Sequence, residues 1–154
     1  LDLPAYLTQR RAARRISAMY ELFEHTADVG LRVQADSLDA LMVDAARGLF
    51  SLIVTNLDQV KAVQEKAVRI EGDEPDYLLF DWLNELLYTF EVQQMLFSEF
   101  SVRVDPRGLT ATCRGETMQL DRHEMDHEVK AITYHGLKVQ QVDDGWIAEL
   151  IVDI

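Results

Sequence analysis

A single cysteine, Cys113, is all that 154 residues offer. That excludes an internal disulfide and a zinc site built from several thiolates. No apolar run approaches the roughly 18 residues of a spanning helix, so no membrane-spanning helix is expected. Basic residues are few, 15 Lys and Arg against 27 Asp and Glu, for a formal charge of −12. A body so acidic repels phosphate at long range, which argues against stable direct binding of nucleic acid. The chain carries no GxGxxG, no P-loop, no GxSxG and no calcium loop of the EF-hand type. Internal repeats and low-complexity tracts are also lacking. What remains is an ordinary globular composition, 48% apolar and 27% charged, in one domain's length.

The charge is unevenly spread. Residues 1–18 hold Arg10, Arg11, Arg14 and Arg15 against Asp2, a net +3, leaving −15 for the rest. This segment reads as a basic extension outside the fold: disordered, a translated upstream stretch, a cloning remnant or a natural arm. The body is then one domain over 19–154. Within it Tyr20–Phe23 is a short strand, and Val29, Leu31, Val33 and Ala35 alternate as one face of a second. Ser37 caps a helix whose stripe runs Leu38, Leu41, Met42, Ala45, Leu49, Leu52, Ile53, over 38–54. After a short strand at 67–71, Gly72-Asp73-Glu74-Pro75 opens a second helix, with Asp73 as cap, reaching Gln94.

From Phe100 the period drops to two. Phe100/Val102/Val104 and Leu109/Ala111/Cys113 flank the turn Asp105-Pro106-Arg107-Gly108. Strands follow at 129–134, 137–140 and 146–152, separated by His135-Gly136 and Asp143-Asp144-Gly145. The expected fold is α+β: two amphipathic helices packed on a mostly antiparallel or mixed β-sheet.

Chemistry is confined to three segments. Glu24-His25-Thr26-Ala27-Asp28 crowds polar groups between two strands, although Thr26 or Asp28 could serve only to hold the turn. At the other end Asp153 precedes Ile154, whose α-carboxylate, if the chain stops there, adds a second anion. With Asp28 at the same sheet edge, these oxygens would make a site for a hard cation, Ca²⁺, Mg²⁺ or Mn²⁺ rather than zinc. Lys130 and His135 frame the third segment, five positions apart. His123 and His127 have the i,i+4 spacing of a helical zinc site. Met125 is the only large apolar residue among 121–128, so that stretch is expected to be an exposed loop.

Taken together, Glu24-His25-Thr26-Ala27-Asp28-Val29-Gly30, Leu79–Tyr88, Val129–His135 and the closing Val152-Asp153-Ile154 resemble the archease family, over residues 19–154. The resemblance implies an archease-like two-layer α+β fold. It implies a protein that is not an enzyme but a cytoplasmic activator of a GTP-dependent, RtcB-type RNA ligase. Such a partner promotes ligase guanylylation and multiple turnover in tRNA splicing or RNA repair. It also implies a bound divalent cation, calcium first, on Asp28, Asp153 and Ile154, with Glu24, His25, Lys130 and His135 as further functional positions. Two rivals are a metal-dependent hydrolase using Asp28 and Asp153, with His25 or His135 as base, and a general chaperone-like scaffold.

Overall fold

The computed structural model describes residues 20–25 and 28–154. The basic extension at 1–18 and the residues Thr26 and Ala27 of the polar string lie outside them.

Among the described residues two α-helices and seven strands follow in the order β1 (Tyr20–His25), β2 (Asp28–Ala35), α1 (Leu38–Ile53), β3 (Gln64–Glu71), α2 (Pro75–Gln93), β4 (Met95–Asp105), β5 (Gly108–Thr117), β6 (Ala131–Val142), β7 (Gly145–Asp153), with a short 3-10 turn at Leu57–Gln59 before β3. The strands divide into two sheets, β1-β2-β7-β6 and β3-β5-β4, and every pairing is antiparallel. The fold is α+β, as expected, but the one sheet anticipated is two, and each helix packs against strands of both. That explains why α1 buries more than one stripe. Gly48 meets Leu31 of β2, while Phe50 packs edge-on against Phe97 and stacked on Phe100 of β4. Trp82 of α2 is fully buried and donates its Nε1–H to the Met42 carbonyl at 2.9 Å, joining the helices inside the core. Among the described residues, no helix is long and apolar enough to cross a membrane.

Local signals explain most boundaries. The Ser37 hydroxyl accepts from the Ala40 N–H at 3.1 Å, the cap expected for α1. The 105–108 turn forms around the Asp105 carboxylate, which accepts from the Arg107 and Gly108 N–H groups. Two details differ. Glu74, not Asp73, occupies the cap position of α2 and makes no side-chain cap bond; Pro75 supplies the start. The segments expected as separate strands at 129–134 and 137–140 form one strand, β6, with its register shifted between Thr133 and Lys138. Gly136 sits at φ 76° inside that irregularity. Only glycine takes this conformation without strain, so the strand bulges there rather than ending.

Candidate metal centre

The alternation in β2 and β7 decides which side chains leave the core. Leu31, Val33, Leu150 and Val152 are buried against the helices. Asp28 and Asp153 therefore fall on the opposite face, each at the end of its strand. The register then sets Asp28 directly opposite Asp153. Cross-strand partners of this kind have Cβ atoms about 4.5–5.5 Å apart, and like charges so placed repel. The row continues on both sides, with His25 of β1 opposite Asp28 and Ala131 of β6 opposite Asp153. The Lys130 N–H donates to the Asp153 carbonyl at 2.8 Å, fixing the strand end.

Both aspartates are half-buried, as is Ile154, which packs against the core margin. Among the described residues, no three His, Cys, Asp or Glu side chains gather as a metal cluster. To hold a cation the pair would need a further oxygen from outside those side chains, and the expected α-carboxylate of Ile154 follows Asp153 directly. An all-oxygen, anionic donor set fits a hard divalent cation and not zinc.

The other expected positions are more dispersed. Lys130 is exposed, next to the row along the chain. His135 is exposed on the β6 bulge, four positions past Ala131. Glu24 lies opposite Val29, one position back along β1 from His25.

Sequence reasoning missed a second feature of the same face. Arg32 is opposite Glu149 and forms an ion pair with it, while only 3% exposed. The Arg32 guanidinium carbon lies 5.3 Å from the centre of the Phe23 ring. That ring in turn covers Gly30, where an added Cβ would fall 2.0 Å from it. The glycine between Asp28 and Arg32 is what lets the aromatic ring come this close to the strand.

The 121–128 segment is a loop, but not the wholly exposed one expected. His123 is buried: its Nδ1 accepts from the Gln119 N–H at 2.8 Å, so Nε2 carries the proton and donates to Glu116 at 3.1 Å. Arg122 and the Lys61 N–H complete the shell of Glu116. These partners, Arg122 foremost, hold the Glu116 carboxyl down at about 2. His127 remains exposed, so the two histidines form no zinc pair.

A model of the Archease protein family matches residues 20–154. The archease of Methanopyrus kandleri is 42% identical over 139 residues, covering 88% of this chain and 99% of its own. That of Pyrococcus abyssi is 38% identical, covering 88% and 98%. The solution structure of protein 1598 from Methanobacterium thermoautotrophicum superposes with a TM-score of 0.78 at 34% identity, over 88% of this chain and 99% of that one. A crystal structure from Thermotoga maritima, described as an archease and possible chaperone, shares the fold with a TM-score of 0.62 at 21% identity, over 87% and 96%.

Proposed function

The chain belongs to the archease family, and from that premise we propose that it is a cation-dependent, non-catalytic activator of a GTP-dependent, RtcB-type RNA ligase. In this reading it acts in the cytoplasm, promoting ligase guanylylation and multiple turnover in tRNA splicing or RNA repair. The observation that carries the reading is the Asp28–Asp153 opposition. Two carboxylates placed opposite each other at paired strand ends repel, and a cation between them would remove the repulsion. Asp28 and Asp153 would hold it, with the α-carboxylate that Ile154 carries when it is the last residue. Calcium suits the donor set best, with magnesium or manganese as alternatives. A bound ion of this kind would neutralise the carboxylates and could take further oxygens from a partner. The chain's own residues do the placing: β2 and β7 fix the aspartates, and the net charge of −12 favours encounter with a ligase surface that is positive for RNA and nucleotide.

The test is a ligation assay with the cognate ligase, following guanylylation and turnover, together with calcium calorimetry. Asp28→Ala and Asp153→Ala should leave the circular dichroism intact and reduce ligation to the level of ligase alone. Appending residues after Ile154 should weaken calcium binding, because the carboxylate becomes an amide. Full activation by both aspartate variants overturns the proposal. RNA or phosphate-ester hydrolysis by the protein alone, lost in Asp28→Ala, would make it the hydrolase instead. The chaperone reading suggested for the Thermotoga maritima relative would show here as client binding indifferent to both aspartates.

A further inference from the structure

The exposed large apolar side chains are not scattered. Of the seven among the described residues, Tyr77, Tyr88 and Val92 lie on α2, and Tyr134 of β6 is stacked on the first of them. Tyr77 and Tyr134 are 52% and 42% exposed, yet their rings lie 5.3 Å apart and within 12° of parallel. Phe80 meets Tyr134 edge-on at 5.2 Å, so the stack is anchored in α2 and is a preformed platform. The helix beside it is purely acidic, although Glu85 pairs with Lys66 of β3 at 4.0 Å and β6 carries Lys138. The 19 residues of α2 include Asp76, Asp81, Glu85 and Glu91 and no Lys or Arg. Hydrogen bonding to Tyr77 raises the Tyr134 hydroxyl to about 12, and the carboxylates of Asp76 and Glu74 push the same way.

A preformed aromatic face with carboxylates beside it has a chemical complement. Guanidinium groups stack on tyrosine and pair with carboxylates through the same planar fork. Tyrosine and arginine are also the residues that dominate protein interfaces. RNA bases could stack on the rings, but their phosphates would meet the acidic margin. We infer that the outer face of α2, with Tyr134 stacked on it, docks a basic, arginine-bearing segment of a protein partner. This surface is independent of the aspartate pair and holds whether or not that pair binds a cation.

The test uses the full chain and a fluorescent, short arginine–alanine peptide, with lysine, glutamate and oligouridine probes beside it, read by anisotropy. The arginine peptide should bind best and the glutamate peptide not at all. Tyr77→Ser with Tyr134→Ser should weaken it about tenfold, while Tyr77→Phe with Tyr134→Phe retains it. Glu74→Gln with Asp81→Asn should lower affinity and flatten its salt dependence. Calcium binding should be unchanged in all three variants, which separates failure here from failure of the aspartate site. Equal peptide affinity in the serine variant overturns the inference. Oligouridine binding more tightly than the arginine peptide overturns it as well, in favour of a nucleic-acid surface.

Discussion

Two cross-strand pairs on one face of the β2–β7 ladder, four residues apart, are built in opposite ways. At Arg32–Glu149 opposite charges meet, with Arg32 nearly excluded from solvent and an aromatic ring laid near it. At Asp28–Asp153 two like charges meet at the strand ends. The first pair joins the strands and is explained by folding alone. The second sets like charges against each other, and the proposed cation would relieve that repulsion. Charge that works against the fold is therefore a better pointer to function in this sheet than charge that is already matched.

The largest effect should come from breaking the matched pair. Arg32→Ala leaves the Glu149 carboxylate, only partly exposed, without its cation, and should lower unfolding free energy by about 3 kcal/mol, the lower end for a buried pair. Urea unfolding measures this as a lower midpoint at unchanged slope. A loss below about 0.5 kcal/mol would place the pair with ordinary surface ion pairs and erase the contrast with Asp28–Asp153.

Glu116 sharpens the same contrast from another region, since it is a carboxylate fully matched by Arg122, His123 and the Lys61 N–H. Its folded value of about 2 lies below the ordinary 4.5. The stability it contributes is thus complete above about 4.5 and lost as pH falls toward about 2. Glu116→Gln should cost less at neutral pH than Arg32→Ala, because Arg122 is partly open to water. The gap between wild type and variant should close across that acid window. A gap that stays constant as the pH drops would show that the carboxylate's charge contributes nothing.

The faces of these strands were legible in the sequence, and their partners were not. Alternation in Val29–Ala35 and Trp146–Val152 already sends Asp28, Arg32, Glu149 and Asp153 to one side. Which residue of one strand meets which of the other depends on a register between segments more than a hundred positions apart, and period alone carries no such information. The resemblance to archeases joined Asp28 to Asp153 where periodicity could not. Arg32–Glu149 went unnoticed because an outward Arg and an outward Glu look solvated until the strands are paired. His123 was misread for a related reason: its partner Glu116 closes strand β5, and nothing in the 121–128 segment announces it. The second sheet was hidden in α1, where Ala46, Gly48 and Phe50 extend the buried surface beyond the stripe that periodicity selects.

The smallest effect is also the most discriminating. In metal-free protein, Asp28→Asn removes one of two facing negative charges while keeping the size and shape of the side chain. If the pair is strained by repulsion, the variant should be slightly more stable than wild type, by about 0.2–1 kcal/mol. Low salt should enlarge the gain, and high salt should shrink it through screening. Asp153→Asn should act in the same direction, and the double variant should gain less than the sum, because either substitution alone already ends the repulsion. A structural pair behaves oppositely: substituting either member costs stability, as predicted for Arg32. A loss of stability in metal-free Asp28→Asn would show that the carboxylate serves the hairpin end by itself, and the distinction between the two pairs would then disappear.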